Sequence, residues 1–116
     1  MATITKQLLS TSTNGRGTKV AATSSAGTDI HTAVGNATDF DEVWLYATNT
    51  NTSTEVLVLQ WGGTTAVDDE IRVSINPDET VLVAPGLIIN NSLVVKAYST
   101  TANKVTIHGY VNRMDY

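Results

Sequence analysis

The chain has 116 residues, a formal net charge of −4 and only 16 % charged residues, well below the usual quarter. This length predicts one domain, and the acidic balance with scattered Lys and Arg argues against nucleic-acid binding, which needs a basic face. The sequence contains no cysteine and no apolar run of about 18 residues, so it predicts no disulfide, no thiolate metal site and no membrane span.

Threonine supplies much of the polarity, with nineteen residues, and it favours strands over helices. Residues 1–10 hold a weak apolar pattern without the apolar core of a signal peptide. They predict an N-terminal arm or edge strand, and residues 11–116 then form the main domain. Asn14-Gly15 predicts a hairpin turn, because both residues tolerate positive φ. Short strands are predicted at 18–23 and 28–34.

The centre of the chain, residues 41–63, contains two apolar arms, 42–47 and 55–61, around a polar loop of Thr, Asn and Ser. This pattern predicts a long hairpin. In the first arm Trp44 and Tyr46 share one face, and neither arm has a clean polar face. A strand that is apolar on both faces is usually buried on both. We therefore expect the hairpin near the middle of the fold or beneath another subunit.

The remaining sequence continues the pattern of short strands. Residues 70–75 alternate between apolar and polar side chains and predict a half-exposed strand. A strand at 80–83 is expected to stop at Pro85-Gly86. Further strands are predicted at 87–89, 93–99 and 104–112. With eight or nine short strands and no helical period, the sequence predicts an all-β, single-domain antiparallel β-sandwich or jelly roll.

Few residues are candidates for catalysis or metal binding. His31 and His108 would need a nearby carboxylate, such as Asp29 on the same strand face as His31, to form a metal site. A metal-assisted hydrolase built on these three residues is the least favoured hypothesis. The acidic residues 68–70 are adjacent and cannot all point at one ion, so a solvated turn is the favoured interpretation. No nucleophile elbow or phosphate loop is evident, and we expect no enzyme activity and no cofactor.

Trp44, Tyr46 and Trp61 allow two interpretations. Aromatic side chains on a β surface stack on sugars, so these three residues and the 68–70 loop are a candidate carbohydrate or receptor site. Trp and Tyr in a buried hairpin more often pack into a core or a subunit interface, which is the favoured interpretation.

Several segments give the chain a family likeness: MATITKQLLS, DEVWLYATNT, LQWGGTT and LVAPGLIINNSLVVKAYS. In these segments, in its small size and in its low charge, the chain resembles small all-β virion proteins of tailed bacteriophages. The likeness extends in style over nearly all 116 residues. It implies a capsid decoration (cement) protein or a small tail component, and it brings no catalytic residues with it.

We therefore expect a non-enzymatic virion protein, made in the host cytoplasm and assembled on the particle. It would self-associate as a homotrimer and bridge subunits of the phage major capsid protein, with no nucleic acid or membrane as partner. The excess of apolar strand faces over what one small sandwich can bury supports such an interface. The alternative is a tail domain or a receptor- or carbohydrate-binding domain. The residues expected at the interface are Ile4, Leu8, Leu9, Trp44, Tyr46 and Trp61.

Overall fold

The computed structural model describes residues 2–116, and all of its regular structure is β. Within these residues the strands are β1 Thr3–Leu8, β2 Thr18–Lys19, β3 Thr28–Thr32, β4 Phe40–Asn49, β5 Glu55–Trp61, β6 Glu70–Ile75, β7 Thr80–Ile89, β8 Val94–Ser99 and β9 Val105–Asp115. The described part of the chain contains no helix long and apolar enough to cross a membrane.

The strands form two antiparallel sheets that pack face to face. Sheet A has the order β1-β9-β4-β7, with β2 also paired to β9, and sheet B has the order β3-β8-β5-β6. Four of the strand pairs are nested along the chain: β5 pairs with β6, β4 with β7, β3 with β8 and β2 with β9. Such nested pairing, rolled into two sheets, is the arrangement of a jelly roll. The predicted all-β sandwich or jelly roll is confirmed.

The core lies between the two sheets and is built from aliphatic side chains of the central strands. Val43, Leu45 and Ala47 of β4 are fully buried, as are Leu57 and Leu59 of β5. Because successive side chains of a strand point to opposite faces, the residues between these positions lie on the outer faces of the two sheets.

The two arms of the predicted central hairpin do not pair with each other. β4 lies inside sheet A and β5 inside sheet B. Asn49 Nδ2 donates to the carbonyls of Ser53 and Ile75 at 3.0 and 2.8 Å, and the Glu55 carboxylate accepts from the Thr101 amide at 2.8 Å. These two buried polar side chains fix the ends of the loop that connects β4 in sheet A to β5 in sheet B. The hairpin prediction is wrong because the strand partners of both arms come from other parts of the chain, whereas the central position of both arms is confirmed.

Two predicted turns also differ in what they connect. Asn14 and Gly15 do adopt positive φ, but their turn joins β1 to β2, and both of those strands pair with β9. The strand expected to stop at Pro85 continues through it to Ile89. β7 is an edge strand, where the missing N–H of proline leaves no ladder hydrogen bond unmade.

Candidate binding face

The outer surface of sheet A consists of every second residue of four strands. On β4, Val43 and Leu45 point into the core, so Trp44 and Tyr46 point outwards. The register places Tyr110 of β9 opposite Trp44. We call this surface the aromatic face. It comprises Ile4, Lys6 and Leu8 of β1, His108, Tyr110, Asn112 and Met114 of β9, Phe40, Glu42, Trp44 and Tyr46 of β4, and Leu82, Pro85 and Ile88 of β7.

Large apolar side chains of the aromatic face remain open to solvent. The exposed fractions are 64 % for Ile4, 52 % for Leu8, 44 % for Leu82 and 57 % for Ile88. Four strands about 4.8 Å apart, with about 3.3 Å per residue along ten-residue β4, span roughly 600 Å². A mostly apolar surface of that size is at the upper end of what single chains expose, and such patches are often functional.

A row of stacked groups crosses this face. The Lys6 ammonium lies 4.7 Å from the centroid of the Tyr110 ring, in a cation–π contact. The Tyr110 and Trp44 rings are nearly parallel, at 12°, with their centroids 6.2 Å apart. The Trp44 ring in turn lies on Gly86, where a Cβ atom would come within 2.9 Å of Trp44 Cζ2 and where φ is +77°. The aromatic rings are therefore held in place without any partner.

A carboxylate lies beside the row. Trp44 Nε1 donates to Glu42 Oε1 at 2.8 Å, and Asn112 Nδ2 donates to the same oxygen at 3.1 Å. These two bonds, the indole bond first, favour the ionised form and hold the pKa of Glu42 below its ordinary value. The aromatic face thus carries a fixed negative charge among apolar side chains.

The outer surface of sheet B has the opposite character. Arg72 Nη2 lies 2.8 Å from Glu70 Oε1, and Lys96 pairs with Asp29. The Tyr98 hydroxyl donates to Glu70 at 3.2 Å. A shallow hollow of about 320 Å³ on this side is lined by Thr23, Val56, Val58, Arg72, Tyr98, Ser99 and Thr100. Matched charges keep a surface solvated, so the exposed apolar surface of the molecule is concentrated on sheet A rather than on sheet B.

A network of polar side chains runs into the core beside the end of β1. The Ser10 amide donates to His31 Nδ1 at 3.1 Å, and Ser10 Oγ lies 2.9 Å from the same nitrogen. Across the ring, His31 Nε2 lies 2.7 Å from Asp41 Oδ2. Arg113 Nε and Nη2 reach the Asp41 carboxylate at 2.7 and 3.0 Å, and the Val34 amide donates to it at 3.2 Å. The network joins β1, β3, β4 and β9.

The hydrogen bonds define the charges in this network. Because His31 Nδ1 accepts the Ser10 amide hydrogen, we assign the ring hydrogen to Nε2, which donates it to Asp41. Burial disfavours the charge on Asp41, but the bonds from Arg113 and His31 outweigh burial and hold the pKa of Asp41 below its ordinary value. The bond to Asp41 also raises the pKa of Arg113.

Ser10 contacts His31 and His31 contacts Asp41, as in the triad of a hydrolase, yet their other contacts are those of a structural network. Ser10 Oγ accepts from the Thr32 amide at 3.0 Å and lies 3.2 Å from the Thr32 carbonyl, so it bridges the backbone of β3. The imidazole nitrogen that faces Ser10 already accepts that residue's own amide hydrogen. Asp41 is paired with Arg113 on the same two oxygens. We assign the network the role of fixing the end of β1 to the core.

The structure separates the three residues of the metal site that the sequence disfavours. His31 is 2 % exposed in the core, His108 lies on the aromatic face, and Asp29 pairs with Lys96 outside sheet B. A register shift between Asp29 and His31 turns their side chains in different directions, so the prediction that they share a strand face is wrong. Within residues 2–116, no group of three His, Asp or Glu side chains is placed to hold a metal ion.

The predicted interface residues fall into two groups. Leu9 is buried in the core, directly after β1. Trp61 ends β5 in sheet B, packs against the core, and donates its indole hydrogen to the Ile88 carbonyl at 3.3 Å. Leu9 is therefore not on the surface, and Trp61, which is partly buried, lies in the other sheet from Trp44 and does not share its face. The packing of Trp61 against the core agrees with the favoured interpretation of the aromatic residues. The four residues that lie on the aromatic face are Ile4, Leu8, Trp44 and Tyr46.

Sequence reasoning missed other members of this face. The outward direction of Tyr110 could have been predicted from the sequence, because buried Ile107 and Val111 alternate with His108 and Tyr110 along β9. The positions of Leu82 and Ile88 could not have been predicted, because two register shifts between β4 and β7 break the alternation that would have assigned both residues to one face.

No family model, no curated protein and no solved structure matches the chain. A proposal about function therefore rests on the residues described above and on the likeness noted in the sequence.

Proposed function

We propose that this protein is a non-enzymatic structural protein of a bacteriophage virion. In this proposal it is a capsid decoration protein that docks on subunits of the major capsid protein through its aromatic face. The sequence likeness to small virion proteins supports the virion assignment. The contrast between an apolar outer surface on sheet A and an ion-paired outer surface on sheet B is the observation that carries the docking assignment.

The physical basis is burial of side chains that are already held in position. The exposed residues of the aromatic face stand on paired strands, and its rings are stacked on one another, so docking orders few new groups. A decoration protein that contacts two neighbouring shell subunits dissociates only when both contacts break together, which multiplies its residence time. Jelly rolls occur in viral capsid proteins but also in lectins and enzymes, so the fold supports the proposal by analogy only.

Two measurements test the proposal in order. Mass spectrometry of phage particles purified from host lysates is expected to find peptides of this chain. Their absence from intact particles would overturn the virion assignment.

The second measurement tests the docking surface with a matched pair of variants. Leu82 on the aromatic face is 44 % exposed, and Leu93, in the turn before β8, is 46 % exposed. Purified protein is mixed with particles that have been stripped of it, and the particles are pelleted. Wild type and Leu93→Asp are expected to pellet with them, and Leu82→Asp is expected to stay in solution. Equal binding of the two variants would exclude the aromatic face as the docking surface.

A second candidate function is carbohydrate binding on the same face. Trp44 and Tyr110 supply aromatic rings, and Glu42 and Asn112 supply an acceptor and a donor for sugar hydroxyls. Against it, Tyr110 has Lys6 on its ring and Trp44 beside it, which restricts the open ring surface that a sugar needs. Glycan-array binding that is lost in Trp44→Ala, with an unchanged circular dichroism spectrum, would favour this function over docking to a shell protein.

A further inference from the structure

The free edges of the two sheets differ in how well they are protected against pairing with another strand. β7 carries Pro85 and two register shifts. β3 has a register shift, and its edge is covered by side chains, because Thr11 Oγ1 donates to the Ile30 carbonyl at 2.7 Å and Ser10 Oγ accepts from Thr32. β6 carries the charged Glu70 and Arg72, and β2 is only two residues long. Proline, bulges, charge and shortness all protect an edge.

β1 lacks these protections. It pairs with β9 in one unbroken register from Thr3 to Leu8, without proline, glycine or bulge. Its one charged side chain, Lys6, folds back over the Tyr110 ring and so lies away from the edge. Five of its six residues are exposed. Among residues 2–116, only β9 forms backbone hydrogen bonds with this strand.

The hydrogen-bond pattern shows which backbone groups face the free edge. The Val105 carbonyl accepts from Val20 on the β2 side, and the Lys104 carbonyl accepts from Thr50 on the β4 side. Backbone groups alternate in direction along a strand, so the odd-numbered residues of β9 bond to β1. Their partners are Thr3, Thr5 and Gln7. The N–H and C=O groups of Ile4, Lys6 and Leu8 therefore point outwards.

We propose that this edge binds the same edge of a second copy, with the two β1 strands antiparallel about a two-fold axis at Lys6. The arrangement pairs each Ile4 with Leu8 of the other copy, and it forms about six backbone hydrogen bonds. A strand segment is always complementary to itself in this way, whereas a closed ring of three copies through strand edges would need β1 to pair with one of the protected edges. The homotrimer expected from the sequence would have to form through another surface.

The pairing goes beyond the proposed docking function and does not depend on it. It would join two copies of sheet A into one continuous sheet and place their aromatic faces side by side on the same surface. A contact made by six residues on each side is smaller than the roughly 1,200 Å² of stable complexes, so it forms at high protein concentration or on a particle that holds two copies together.

Analytical ultracentrifugation up to about 1 mM protein tests the pairing, with two variants at the axis. Wild type is expected to approach twice the 12.3 kDa mass of the chain as its concentration rises. Lys6→Ala keeps the outward N–H and is expected to dimerise at least as well. Lys6→Pro removes that N–H without touching the bonds to β9 and is expected to stay monomeric. A monomeric wild type, or dimerisation of Lys6→Pro equal to that of Lys6→Ala, overturns the proposal.

Single cysteines test the register, since the chain contains none of its own. Residues 6 of the two copies face each other across the axis, with about 5.5 Å between Cα atoms, which a disulfide can bridge. Residues 4 lie four positions apart, about 13 Å along the strand, which it cannot. Mild oxidation is expected to give a covalent dimer of Lys6→Cys and none of Ile4→Cys. The reverse result overturns the two-fold pairing at Lys6, and neither result alters the outcome of the particle-binding test.

Discussion

Replacing Asp41 with alanine is expected to destabilise the fold more than any change at the surface. Asp41 is completely buried, and its two oxygens accept from Arg113, His31 and the Val34 amide. Alanine leaves the His31 and Val34 donors without a partner, and each buried donor left in that state costs about 1–3 kcal/mol. Arg113 is 23 % exposed and can turn to water, so its loss is discounted. Breaking a buried ion pair on one side costs about 3–5 kcal/mol in general, and about 4 kcal/mol is expected here.

The assay is thermal unfolding followed by circular dichroism at pH 7. At about 2.1 cal/mol/K for each of 116 residues, the unfolding entropy is about 0.24 kcal/mol/K, so a loss of about 4 kcal/mol lowers Tm by about 16 °C. Asp29→Ala provides the matched control, because it removes an aspartate from the Lys96 pair outside sheet B, where the expected cost is below about 1 kcal/mol. If Asp41→Ala lowers Tm no more than the control does, the network does not hold the sheets together and the reasoning is refuted.

Three further results are expected. The stability that Asp41 supplies is full above its unfolded-state pKa of about 3.9 and is lost as pH falls through its lower folded-state pKa. The difference in free energy of unfolding between wild type and Asp41→Ala, measured with urea, should therefore close below about pH 4. Gly86→Ala should cost roughly 1–3 kcal/mol, because φ is +77° and the new Cβ atom would come within 2.9 Å of the Trp44 ring. Gly35→Ala should change stability by less than about 0.5 kcal/mol, and equal effects of the two changes would contradict the contact. Trp44→Phe removes the indole donor, so the pKa of Glu42, measured by NMR titration, should rise toward 4.5. An unchanged pKa would show that the indole bond is not the main cause of the lowered pKa of Glu42.

Local pattern was enough to find most of the strands, because each buries one face and alternation needs no knowledge of the partner. Residues 70–75 show this best, since Ile71, Val73 and Ile75 do pack toward the core as their alternation predicts. Alternation also assigned Trp44 and Tyr46 to one surface. It did not reveal that the surface is an outer one that they share with Tyr110, because that depends on which strands are neighbours.

The errors arose where pairing depends on residues far apart in the chain. β4 and β5 look like a hairpin, but their central positions are set by β9 and β8, which come later. The sequence groups Trp61 with Trp44, but Trp61 lies in the other sheet and packs partly against the core. His31 lies in an alternating strand, but it is buried because a bulge in β3 turns it inward and Asp41, which in turn binds Arg113, accepts its ring hydrogen. Nothing in the local sequence encodes those contacts.

The position of β9 has a consequence for how the molecule is made. β9 is hydrogen-bonded to β1, β2 and β4, yet it is the last strand of the described part of the chain to leave the ribosome. Until it emerges, the two earliest strands have no partner, and half of β4 is an open edge. Folding therefore waits for synthesis of this domain to finish, and the many distant pairings make it slow. A nascent chain stalled before residue 105 would expose adhesive strands and would need a chaperone to escape aggregation.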